Sequence, residues 1–98
     1  KVAYQGHVVV LGDVNPGAEI IASGSIVVWG RLRGTAHAGA EGDESAVICA
    51  LDLSPTQLRI AAKAATTPQD QEQPQPEIAS IKENQIVAEP WQHKQGVL

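Results

Sequence analysis

The chain has 98 residues, 43% hydrophobic and 18% charged, which is the balance of one small globular domain and too short for two. With no Phe or Met, one Tyr and two Trp, the core must be thin and aliphatic, which excludes a wide cavity for a large cofactor. Seven Lys and Arg against eleven Asp and Glu give a net charge of −4 with no basic run, arguing against a nucleic-acid surface and against direct adhesion to anionic membrane.

The one cysteine, Cys49, rules out an internal disulfide and a Cys-based zinc site, and suggests a reducing compartment. Apolar stretches such as Val8 to Leu11 are far below the roughly 20 residues of a membrane-spanning helix. Lys1-Val2-Ala3-Tyr4 lacks the shape of a signal peptide. The expectation is a soluble cytosolic piece of a longer protein, since position 1 is Lys and not Met.

The informative feature is a period of six. Val2, Val8, Val14, Ile20, Ile26, Leu32 and Ala38 form an apolar column, and Tyr4, Val10, Pro16, Ala22, Val28, Gly34 and Ala40 form a second one two positions later. Gly6, Gly12, Ala18, Gly24, Gly30, Ala36 and Gly42 carry no large side chain, while Lys1, His7, Asp13, Glu19, Ser25, Arg31, His37 and Asp43 are all polar. Residues i and i+2 of a strand point the same way, so each hexad reads as a short strand with two inward residues and a bend after it. Matches 18 residues apart, such as Gly6/Gly24/Gly42, Val10/Val28 and Ala22/Ala40, make three hexads one coil. The fold expected is an all-β, three-faced β-solenoid of about 18 residues per coil.

After Gly42 the period slips. Asp43-Glu44-Ser45 reads as a corner two residues longer, after which Ala46-Val47-Ile48-Cys49 is aligned with Ile26-Val27-Val28-Trp29. Ser54-Pro55 could open a helix, but Leu58-Arg59-Ile60 alternates like another strand, which is preferred because it keeps the coil edge covered. The coils are placed at 1–65, a Pro/Gln-rich flexible loop at 66–76, closing strands of the same domain at 77–90 and a tail at 91–98. Ile78 to Ile81 and Gln85 to Ala88 flank Glu83-Asn84 as a C-terminal hairpin.

Two surfaces stand out. The outward residues of one face are Val9, Leu11, Val27, Trp29, Val47 and Cys49, an apolar wall that marks either self-association or a covering by the hairpin. The next face presents Asn15, Gly17, Arg33 and Thr35, bordered by Asp13, Glu19, Arg31 and His37. Stacking at about 4.8 Å places Asp13 over Arg31 and Glu19 over His37, a polar docking surface or a set of solvated pairs.

No catalytic or metal constellation emerges. The enzymatic alternative is a hexapeptide-repeat acyltransferase, whose catalytic His would be His7 or His37, but neither has a Ser, Cys or Asp at a triad-like spacing. Gly30-Arg31-Leu32-Arg33-Gly34 lacks the ending of a phosphate loop. No cofactor is expected.

The segments Gly12-Asp13-Val14-Asn15-Pro16-Gly17-Ala18-Glu19, Gly24-Ser25-Ile26-Val27-Val28-Trp29-Gly30 and Leu32-Arg33-Gly34-Thr35-Ala36-His37-Ala38-Gly39 resemble the C-terminal domain of the bacterial septum-site determining protein MinC. The resemblance implies that the coil is right-handed, that the chain forms a homodimer, and that it binds the membrane-associated ATPase MinD. It also implies a cytoplasmic division inhibitor, recruited to the inner face of the plasma membrane only through MinD, that prevents FtsZ ring assembly at wrong sites. In that family the stronger action on FtsZ belongs to an N-terminal domain outside this sequence. Gly17, Glu19, Arg33 and Gly34 match the family pattern near the MinD surface. The Arg-Ser-Gly-Gln motif of that surface does not occur here.

Overall fold

The computed structural model describes residues 2–65 and 75–91. The described strands are β1 (Val2–Tyr4), β2 (Val8–Leu11), β3 (Glu19–Ala22), β4 (Ile26–Leu32), β5 (Thr35–Ala38), β6 (Ile48–Leu53), β7 (Gln57–Ile60), β8 (Lys63–Ala65), β9 (Glu77–Lys82) and β10 (Gln85–Pro90). They form two five-stranded sheets, ordered β1-β3-β5-β7-β8 and β10-β9-β6-β4-β2. Both sheets are mixed. In the first, β1, β3, β5 and β7 run parallel and β8 folds back antiparallel on β7. In the second, β2, β4 and β6 are parallel, β9 lies antiparallel on β6 and β10 antiparallel on β9.

This arrangement overturns the three-faced right-handed β-helix expected from the period: the chain is all-β, but it builds two mixed sheets. The supposed third face holds no strand of its own. Between β2 and β3 its only ladder contact among the described residues is the isolated bridge Val14↔Leu32. Asn15-Pro16-Gly17-Ala18 closes as a turn, the Ala18 N–H donating to the Asn15 carbonyl at 3.0 Å with Gly17 at φ +92°. Pro at the second and a left-handed Gly at the third position is the type II signature, so the hexad reads as a strand in pattern only. In the next pass β4 runs on through the same region to Leu32 without a break.

The 18-residue register is kept where Val2 pairs with Ile20 and Val8 with Ile26. Elsewhere it shifts. Glu19 pairs with Thr35, an offset of 16, because Pro16-Gly17 has no counterpart in the shorter corner at Arg33-Gly34. Ile26 pairs with Ile48, an offset of 22 where 20 was expected, so Cys49 and not Val47 lies opposite Val27. Between Val28 and Arg31 the register slips once more: Trp29 and Gly30 face the single residue Leu51, a β-bulge.

Alternation within the strands fills the space between the sheets. Val8, Ile26, Val28, Ile48 and Leu53 of the second sheet pack with Ile20, Leu58 and Ile60 of the first, and Ala22, Ala36, Ala38, Ala50 and Ala79 keep the layer thin. The polar corner column closes the backbone. The His7 Nδ1 accepts the Ser25 N–H at 2.9 Å, the Ser25 hydroxyl accepts the Val47 N–H at 3.0 Å, and the Asp13 carboxylate accepts the Arg31 N–H at 2.8 Å. These polar groups satisfy amides that the bends leave without a ladder partner.

The 57–60 segment is a strand, as preferred over a helix, and it continues into a hairpin through Ala61-Ala62 that the period did not indicate. The C-terminal hairpin forms at Glu83-Asn84, with φ of +52° and +68° as a type I′ turn requires. The loop placed at 66–76 and the tail at 91–98 lie outside the described residues except for 75, 76 and 91.

Candidate functional site

The apolar wall is the outer surface of the second sheet. Its strands turn Val8, Ile26, Val28, Ile48 and Ala50 inward, so the intervening residues must face out. Register aligns Val9, Val27, Cys49 and Ile78 in one row across four strands, with Leu11 beside Trp29 in the next. Val9 is 65%, Leu11 83% and Trp29 64% exposed, while Val27, Val47 and Cys49 are half-buried. The C-terminal hairpin does not lie over this surface. It extends the sheet edgewise from β6, which decides against covering by the hairpin.

On the far side of β4 the wall is recessed. Trp29, Cys49, Leu51, Ile78 and Trp91 line an apolar groove of about 400 Å³. Leu51, Ile78 and Trp91 were not among the residues expected here, because the four-residue slip at 39–46 and the bulge at Trp29-Gly30 move them into line. Burial pushes the Cys49 thiol above its ordinary value, so at neutral pH it is a small hydrophobe.

The polar residues gather along one edge, where the chain crosses from the second sheet to the first. Asp13, Asn15 and Gly17 come from the first crossing, Arg31, Arg33 and Gly34 from the second, and Glu19 and Thr35 open the strands that follow. Backbone bonds knit the crossings together: Arg33 and Gly34 N–H both donate to the Val14 carbonyl at 2.8 and 3.1 Å, and Thr35 N–H to the Ala18 carbonyl at 2.9 Å. A Cβ on Gly34 would lie 2.4 Å from the Ala18 carbonyl oxygen and 2.6 Å from that of Asn15, so only glycine lets the two crossings touch.

Two of the expected stacking pairs take a different form. Asp13 does lie against Arg31, but through the Arg31 backbone; the guanidinium reaches to Asp52, with Nε 3.9 Å from Oδ2. Asp52 also accepts the Ser54 hydroxyl at 2.7 Å, and the Thr56 hydroxyl donates to the Arg33 carbonyl at 3.0 Å. Asp52 and Thr56 therefore belong to this edge although the hexad column does not reach them. Glu19 faces Thr35, not His37; His37 lies opposite Ile21, its Nε2 2.9 Å from the Ala61 carbonyl oxygen.

Both histidines considered for catalysis thus have structural partners, His7 at the Ser25 amide and His37 at the β7–β8 turn. Among the described residues no group of three or more His, Cys, Asp or Glu is arranged to hold a metal.

An open apolar sheet face and a charged edge of mixed sign define a small all-β domain of the kind that meets other proteins. Residues 1–91 match the family described as the septum formation inhibitor MinC, C-terminal domain, and the chain belongs to that family. It is 55% identical over 87 residues to a probable septum site-determining protein MinC of Persephonella marina, covering 88% of this chain and 44% of that protein. A protein of the same description from Heliobacterium modesticaldum is 50% identical over 94 residues, covering 94% and 32%. The chain therefore spans less than half the length of these relatives. Among solved structures it is similar to a chain of the MinC:MinD cell division protein complex of Aquifex aeolicus, with a TM-score of 0.85, 42% identity and coverage of 96% of this chain and 80% of that one.

Proposed function

We propose that this chain is the dimerisation and MinD-binding module of a cell-division inhibitor that prevents septum assembly at wrong sites. The observation that carries the reading is the likeness, at 42% identity, to a chain of a MinC:MinD complex. The polar edge of Asp13, Asn15, Gly17, Glu19, Arg31, Arg33, Gly34 and Thr35 serves as the MinD-facing surface. The apolar wall of Val9, Leu11, Val27, Trp29, Val47 and Cys49 serves as the contact between two copies. Action on FtsZ falls mainly to an N-terminal domain outside this sequence, and the module reaches the plasma membrane from the cytoplasm through MinD. The separation of edge from wall supports this division of labour, since one can be altered without the other. In pull-downs with ATP-loaded MinD, Arg33→Glu should lose capture while light scattering still reports the parent's mass. Capture at the parent's level would remove Arg33 and its neighbours from the binding surface.

A further inference from the structure

The apolar wall is not flat. Val9 and Leu11 form a ridge on the edge strand β2, and the groove of about 400 Å³ between Trp29 and Trp91 lies on the other side of β4. Five strands at about 4.8 Å, each extending about 3.3 Å per residue over its own length, give a face of about 460 Å² per copy. A specific interface needs about 1,000 Å² in total, so a pair approaches that size only when ridge and groove are both covered. Two ridges meeting alone would leave the larger part of both faces in water.

A two-fold contact is isologous: if one copy's residue i touches the other's j, then j touches i. A ridge at one side of a face and a groove at the other satisfy that condition when each ridge lies in the opposite groove. We propose that the groove between Trp29 and Trp91 is the seat of the partner's Leu11 and the partner's Val9, in two equivalent copies of one ridge-in-groove contact. The inference rests on the two-copy reading of the wall proposed above and adds its register. Among the described residues Leu11 is the most exposed large hydrophobic one, and the groove that would receive it is walled mainly by aromatic and aliphatic side chains, with Cys49 and Glu77 also in its lining. In this register Leu11 stands over the partner's Cys49, and neither Leu11 nor Cys49 stands over its own equivalent.

The test uses the native thiol. Leu11→Cys, the parent chain and the double variant Leu11→Cys/Cys49→Ser are treated with a short bismaleimide whose reach matches the about 10 Å between packed sheets. The expected result is a band of doubled mass for Leu11→Cys alone, with peptide mass spectrometry joining residue 11 to residue 49. A link within one chain competes, because residues 11 and 49 lie two strands apart on the same face at about 12 Å; refolding the double variant together with the parent, so that no chain carries both thiols, must therefore give the same doubled band. Doubled mass in the parent or in the double variant by itself means a 49–49 or 11–11 register and overturns the proposal. So does the absence of any doubled band from that mixture when light scattering shows it to be dimeric and both thiols take up a monofunctional maleimide. Failure of the dimer reading itself appears separately, as a parent of single-chain mass before any reagent is added.

Discussion

The Asp13 carboxylate accepts the Arg31 backbone N–H at 2.8 Å, while the Arg31 guanidinium turns to Asp52 with Nε 3.9 Å from its Oδ2. One residue thus takes part in two contacts of unequal worth. The first satisfies an amide at a chain crossing; the second is a long ion pair whose Arg side chain is mostly in solvent.

Asp13→Ala should therefore cost about 1 kcal/mol, the usual worth of a side-chain acceptor on a backbone amide. Arg31→Ala should cost less, toward the lower part of the about 0–1 kcal/mol range of exposed ion pairs. Urea midpoints at constant m-value give the comparison, and a larger loss for Arg31→Ala would reverse the assignment.

Gly34→Ala drives a methyl group into two carbonyl oxygens, and Gly30→Ala places one 2.3 Å from the Gly12 carbonyl oxygen. Neither obstacle is a flexible side chain. Each substitution should lower stability by about 1–3 kcal/mol, the cost of overpacking, seen as a drop in Tm. Gly17→Ala meets no neighbouring atom and should cost less, through its φ of +92° alone.

The hairpin turn offers a gain. Glu83 holds φ +52° and Asn84 +68°, and Asn-Gly is the favoured pair for a type I′ turn. The double change Glu83→Asn/Asn84→Gly should raise stability by about 0.5–1 kcal/mol. An unchanged or lower denaturation midpoint would contradict the turn geometry.

Asp43 sets a pH dependence. The Ser45 hydroxyl and then its N–H, at 2.6 and 2.9 Å, hold the carboxyl below its ordinary value of 3.8, with a further pull from His7. A folded-state value below the unfolded one gives stability that is present above pH 3.8 and is lost as pH falls through the lowered value. Asp43→Asn should flatten the acid limb of the stability curve below that pH and leave its shape near neutrality unchanged.

Val27→Lys places a charge at the centre of the row Val9–Val27–Cys49–Ile78. Light scattering should show the parent at twice the chain mass of 10.3 kDa and the variant at one. A parent of single-chain mass would remove the wall as a contact between copies.

Much of the core was legible because burial obeys alternation. Val8, Val14, Ile20, Ile26 and Leu32 lie in one apolar column and all are buried. The 18-residue spacing anticipates the pairings of β1 with β3 and β2 with β4. What the period could not carry was the difference between a strand and a turn of the same length. Pro16 occupies an inward column yet is exposed, because Asn15-Pro16-Gly17-Ala18 forms its own hydrogen-bonded turn and pushes the chain out. After Gly42 the register depends on how the 39–46 corner folds on itself, with Gly39 and Gly42 at φ +56° and +108°. A fixed step of six has no means of counting that. The same slip hid Leu51, Ile78 and Asp52, whose partners are set by β6 and β9 and not by the hexads. The polar edge was legible as a cluster, since its residues sit at successive crossings, but Glu19 against His37 failed by the two residues of the Pro16-Gly17 turn.

The two ends of the sheets are assembled by different routes. Each parallel strand from β1 to β4 must wait for a partner 16 to 22 residues further along the chain, whereas β7–β8 and β9–β10 pair with near neighbours in sequence. Each parallel ladder therefore closes only across a whole intervening pass of chain. The two hairpins need only a tight turn, of the kind that closes in about microseconds, and they form one end of each sheet.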